Sequence, residues 1–344
     1  MKRVIIVLIF IVLAVGVALS SLILLKSNED RGDFERRFID SPLIGTDTLD
    51  LKLNSFYLVG VDTSCIYLGN LTQTRSLFTF YKEAGKTVLN QFNLADQLAA
   101  HPLGLKLSAL QNSLFIVDQQ KPAIWMADLT DIAAAKEYAL SHYMEQHTPL
   151  SPVSLACTSF NKLNKQTEII KLDFADKTSK PGNYKLIAQA DGYLCSKGFL
   201  AYTNNHLVYA YTFRNQFICL DSNLQEFYRG KTIDANEHIN FKVVKLESDS
   251  SRNFSKSPLY VNKMIALNES YLFINSGIRA KNETAYAFKN SSAIDVYQIN
   301  DGRYAFSFYI PMYKGERIRT FKVAGSRMAV LAGNYLLTYN LKFN

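Results

Sequence analysis

The run Thr232-Ile233-Asp234-Ala235-Asn236-Glu237-His238 puts two carboxylates and an imidazole within five residues. Such a set can move protons at a substrate or hold a divalent metal. It equally suits a solvated loop built on an Asx turn, and that is the preferred reading. Upstream, Arg214-Asn215 interrupts two apolar stretches. The planar guanidinium fork of Arg214 fits a carboxylate on a partner. Asn215 tolerates the left-handed conformation that a tight hairpin turn needs. Arg214, Asn215, Asp234, Glu237 and His238 are therefore the candidate partner-binding residues. Each also has a structural reading, since Arg214 can pair with an internal acid and Asn215 can serve the turn alone.

Other reactive residue types form no pattern. The five histidines are His101, His142, His147, His206 and His238. His142 and His147 are five apart, which separates them on a helix and puts them on opposite faces of a strand, so neither geometry chelates. The four cysteines are Cys65, Cys157, Cys195 and Cys219. Cys195 and Cys219 fall two strand spacings apart in the arrangement deduced below, beyond disulfide reach. Buried thiols are expected, with a Cys157–Cys195 bridge between neighbouring blades the alternative. The sequence has no phosphate-binding glycine loop, nucleophile elbow, H-E-x-x-H, C-x-x-C or EF-hand pattern. No catalytic residue, metal or cofactor is assigned.

These residues must be positioned by strands. From about Thr46 onward, short runs rich in Tyr, Phe, Val, Ile and Leu alternate with Asn, Asp, Gly and Ser clusters. Pairs of apolar runs separated by a turn start near residues 66, 114, 207, 272 and 328, at steps of 48, 93, 65 and 56. The step of 93 is nearly twice 48, which predicts a degenerate unit near Phe160 and Thr167–Phe174. Six units of roughly 40–50 residues are the spacing of β-propeller blades. The last unit lacks an outer strand. The alternation of Leu49, Leu51 and Leu53 with Asp50, Lys52 and Asn54 supplies an N-terminal strand to complete it and close the ring. Asp131–His147 is Ala-rich with Thr130 as a candidate N-cap, which predicts one or two helical turns or the outer strand of blade two. Asp234–Lys256 reads as a polar insertion. The hairpin turn at Arg214-Asn215 and the connection at Asp234 can end on different ring faces, so their proximity is open.

Lys2 and Arg3 precede an apolar run from Val4 to Leu25. Its 22 residues span roughly 33 Å as a helix, enough for a bilayer core. This predicts an uncleaved signal-anchor transmembrane helix over residues 1–26, with the basic N-terminus in the cytoplasm and the bulk of the chain outside it. Residues 27–45 read as a polar stalk and 46–344 as the propeller ectodomain. The 344-residue chain carries 38 basic and 30 acidic residues, a net charge of +8. Three of the basic residues lie in 1–26, leaving a dispersed +5 that argues against nucleic acid.

At Asp191-Gly192-Tyr193-Leu194-Cys195, Tyr209–Phe217 and Thr232-Ile233-Asp234 the chain resembles an uncharacterised family of bacterial envelope proteins. They carry one N-terminal membrane helix and a six-bladed, TolB-like β-propeller. The resemblance implies an inner-membrane address with the propeller in the periplasm, and it brings no activity with it. The expected function is a tethered binding or scaffold module for an envelope or membrane protein or a ligand. The alternative is a hydrolase or lyase using a metal or carboxylates at the central channel. Fold alone does not separate the two.

Overall fold

The computed structural model describes residues 15–16, 32–62, 64–83, 86–93, 104–141, 143–175, 182–245 and 252–343. Apart from Val15 and Gly16, the expected Val4–Leu25 membrane helix lies outside the described residues. Among them, no helix is long and apolar enough to cross a membrane.

Six four-stranded antiparallel sheets account for almost all the regular structure. Blade one comprises Phe56–Val61, Cys65–Asn70, Ser76–Glu83 and Lys86–Asn93. Blade two comprises Leu105–Leu110, Ser113–Asp118, Ala123–Asp128 and Asp131–Ala139. Blade three follows with His147–Ser151, Ser154–Asn161, Gln166–Asp173 and Gly182–Lys185. Blade four is Gly198–Thr203, His206–Tyr211, Gln216–Leu220 and Glu226–Lys231. Blade five is Asn262–Leu267, Tyr271–Ser276, Ser291–Gln298 and Tyr304–Pro311. Blade six joins Ile318–Ala324, Arg327–Ala332 and Tyr335–Leu341 to Leu43–Asp50 from the other end of the chain. The innermost strands of successive blades touch in cyclic order, blade six against blade one. The architecture is an all-β, six-bladed propeller.

The repeat signal marks the second and third strands of each blade, and packing explains why. Leu272, Phe273 and Ile274 are wholly buried because one face meets blade four and the other meets blade six. Each such side chain contributes about 1.5–3 kcal/mol on burial, so an apolar identity is held there while outer strands drift. The degenerate third unit is the hairpin of Ser154–Asn161 and Gln166–Asp173.

Of the two readings of Asp131–His147 the outer strand holds: Asp131–Ala139 is the outermost strand of blade two, because hydrogen bonds to Ala123–Asp128 outweigh alanine's helix preference. Two expectations are corrected. The N-terminal strand runs from Leu43 to Asp50, earlier than Leu49–Leu53 suggested; Leu51 packs inward beyond its end and Leu53 faces solvent. The second half of the expected polar stalk is an arm docked on blade five. Ile39 N donates to Ser307 O at 3.0 Å and Ser307 N to Arg37 O at 2.8 Å, so the arm covers that blade's outer edge. Arg36 is buried beneath it, bidentate on Asp295 at 2.7 and 3.0 Å and paired with Glu283. Tyr309 and Ser307 donate to the same two carboxylates at 2.7 and 2.6 Å. The insertion after blade four carries a small hairpin, Val243–Lys245 with Arg252–Phe254. The four cysteines are free thiols, Cys65 half-buried and the others buried.

Candidate functional site

The sequence-derived candidates come together only in part. The turn and the connection of blade four lie on one face: Asn215 N donates to Asn236 O at 2.8 Å and Asn215 Nδ2 to Asp234 O at 2.6 Å. Asp234 forms the expected Asx turn, accepting from Asn236 N and Nδ2 at 2.9 Å and from the Thr232 hydroxyl at 2.5 Å. Yet it is buried, as are Arg214 and Asn215. Arg214 stacks 3.6 Å from the Tyr211 ring centroid and donates through Nη2 to the Ile187 carbonyl at 2.6 Å. Among the described residues it pairs with no acid. Glu237 and His238 are exposed, and a hydrogen bond from Lys231 lowers the Glu237 pKa. The five residues therefore divide into a buried support, Arg214, Asn215 and Asp234, and a two-residue rim.

Beside that support is a cavity of about 690 Å³, lined by blades three and four, by the insertion after blade four and by Gln119 of blade two. Its wall on blade three is the segment leading into the innermost strand. Glu145 N donates to Thr158 O at 3.0 Å and Thr158 N to Gln146 O at 2.8 Å, which fixes Tyr143, Glu145 and Gln146 at the mouth. The next wall is a single 3-10 turn, Leu194–Ser196, whose Leu194 and Cys195 amides donate to Asp191 at 3.2 and 2.9 Å. Gly192 enters this turn because a Cβ there would fall 1.9 Å from the Lys165 carbonyl oxygen. Tyr193 is thereby set edge-on against Phe160, with Lys197 5.3 Å from its ring. Burial, then the Glu145 carboxylate, push the Tyr193 hydroxyl up to about 12. The third wall is the insertion: Phe254 and Tyr260 meet Phe213 at 5.5 and 5.3 Å in edge-to-face contacts.

Below the mouth the innermost strands enclose a channel of about 440 Å³. Its charged lining residues are Lys106, Lys263, Arg319 and Lys322 against Glu145. Lys106 sits 4.3 Å over the Tyr57 ring, whose hydroxyl accepts from Leu107 N at 3.0 Å. His147 opens the innermost strand of blade three, and Lys322 lies on that of blade six. Burial, then the charges of Lys322 and Lys106, lower the His147 imidazole to about 4, so it is neutral at physiological pH. Burial lowers both lysines. Sequence reasoning missed these residues and the aromatic mouth. For Lys106, His147, Tyr143 and Tyr260 the usable signal was that they lie at or just before the start of an innermost strand, whose ends ring the axis of a propeller.

No protein-family model matches the chain, and no curated protein does. Solved structures do. A member of the DUF4221 family from Bacteroides vulgatus superposes with a TM-score of 0.56 at 10% identity, covering 90% of this chain and 99% of that one. A Bacteroides fragilis protein described as exported gives 0.50 at 13% identity, with 91% and 95% covered. Virginiamycin B lyase from Staphylococcus aureus, in a catalytically inactive form with quinupristin, gives 0.50 at 12%, with 87% and 99% covered. At these identities the likeness is one of fold alone, and the six blades are those this chain's own sheets form.

Proposed function

We propose that the protein is an extracytoplasmic binding module whose ligand or envelope partner enters the mouth formed by blades three and four and the insertion that follows blade four. The observation that carries this reading is the 690 Å³ cavity walled by Tyr143, Tyr193, Phe213, Phe254 and Tyr260. Large aromatic rings with polar tips bury area at low entropic cost and are typical anchors of recognition surfaces. Tyr143 and Tyr260 are about half exposed, so their rings are open to an incoming group. Arg214, Asn215 and Asp234 act as the support beneath this wall, with Glu237 and His238 at its rim. The TolB-like assignment and the inner-membrane anchor through Val4–Leu25 belong to the same proposal. They rest on the apolar run, and the exported Bacteroides fragilis protein of the same fold agrees with the address. For the rival reading as a metal- or carboxylate-dependent hydrolase or lyase, the channel presents lysines where acids are needed.

The test is photo-crosslinking in intact cells, with a photoreactive phenylalanine at Tyr143 or Tyr260 and at Phe227 as the control. Phe227 is equally exposed on the outermost strand of blade four. A discrete adduct common to both mouth positions and missing from Phe227 is expected. Identical labelling from all three positions would overturn the reading.

A further inference from the structure

The channel presents a different chemistry from the mouth. Lys106 comes from blade two, His147 from blade three and Lys322 from blade six. All three line the same 440 Å³ space, and both lysine charges act on the imidazole. Ser108, two residues along from Lys106, also lines it; its residue is 5% exposed and its Oγ is buried with no hydrogen-bond partner among the described residues.

No carboxylate among the described residues pairs with Lys106 or Lys322. Glu145 lines the cavity but is engaged with Tyr193. Arg319 turns away, donating to the Gly333 and Phe56 carbonyls at 2.9 and 3.2 Å, and Lys263 lies toward the Phe288 ring. Two partly buried lysines, a neutral imidazole and an orphan hydroxyl therefore line one space. Unpaired charge in such a setting is unfavourable until a counter-charge arrives.

We propose that the channel is a binding site for a phosphate group, held by Lys106 and Lys322 with donors from His147 and Ser108. Ammonium groups from separate blades that line one space with a hydroxyl and an imidazole suit a tetrahedral dianion. A planar carboxylate is better met by a single arginine fork. The phosphate can be free or the head of a small phosphomonoester, and the site does not depend on what occupies the mouth.

The test is calorimetric titration of the full-length protein with inorganic phosphate, glycerol 3-phosphate and acetate. Saturable phosphate binding is expected, with acetate at least about tenfold weaker. Lys106→Met and Lys322→Met should each weaken phosphate about tenfold or more, the loss of one charge-assisted hydrogen bond. Lys136→Met, exposed on the outermost strand of blade two, should leave binding unchanged. In proton NMR, saturating phosphate should move the His147 titration from about 4 toward its ordinary 6.5. Binding of both phosphates supports a phosphomonoester head, and binding of inorganic phosphate alone supports the free ion. The proposal is overturned if neither phosphate binds, if acetate matches them, or if both lysine variants bind as the parent does. Denaturation midpoints no lower than the parent's in the lysine variants establish that a loss of binding is not a loss of fold.

Discussion

Arg36 and Arg214 are both buried, and their surroundings are opposite. Every guanidinium nitrogen of Arg36 has a partner: Nε and Nη2 grip Asp295, Nη1 meets Glu283, and Nη2 also reaches the Ile278 carbonyl. Arg214 has one hydrogen bond and an aromatic face, while its Nε and Nη1 are buried without a partner among the described residues. A buried cation with its acids in place is a latch, and removing one side of it strands charge on the other. A buried cation without acids leaves nothing stranded when it goes. Lys322 in the channel extends the series, having neither acid nor stacking ring among the described residues. Substitutions along it should therefore change stability in decreasing size and finally in sign.

Arg36→Met should have the largest effect, about 3–5 kcal/mol of destabilisation by chemical denaturation, because Asp295 and Glu283 are left buried and unpaired. A loss under 1 kcal/mol would mean that the arm does not hold blade five. The next effect is set by pH. The folded His147 refuses a proton until about pH 4, whereas the unfolded chain accepts one near 6.5. Stability from this group is thus complete above 6.5 and falls as pH drops through that window. It should decline by about 2 kcal/mol between pH 7 and 5. His147→Gln should flatten that part of the profile relative to the parent. Arg214→Met should cost only about 1 kcal/mol, the value of one hydrogen bond and one cation–π contact partly replaced by packing. A cost near that of Arg36→Met would reveal a counter-charge on Arg214 and break the comparison. Lys322→Met should raise the ligand-free midpoint slightly, by up to about 1 kcal/mol, since an unpaired, partly buried charge is removed.

The arm was hidden from sequence reasoning because its partners are remote. Arg36 is 247 residues from Glu283 and 259 from Asp295, and a charged run after an apolar one has the composition of a linker. His147 was tested against His142, its neighbour in sequence, when the groups acting on it are Lys106 and Lys322 on other blades. Blade four fared better. Asp234 was singled out for an Asx turn and makes it, whereas Asn215 does not take the left-handed conformation expected of it and its amide instead ties the hairpin end to the Asp234 carbonyl. The same residues were offered as a partner-binding surface, but the backbone bonds that make the turns also draw their side chains inside.

The six-fold repeat and the strands that carry it were determined by the sequence alone. Residues packed on two faces must stay apolar at fixed intervals, and that requirement is written along the chain. Where charge is buried, which lysines meet in the channel and which aromatic rings wall the mouth were decided by tertiary structure. These depend on bringing strand ends of different blades to one axis, across separations in sequence at which no local pattern survives.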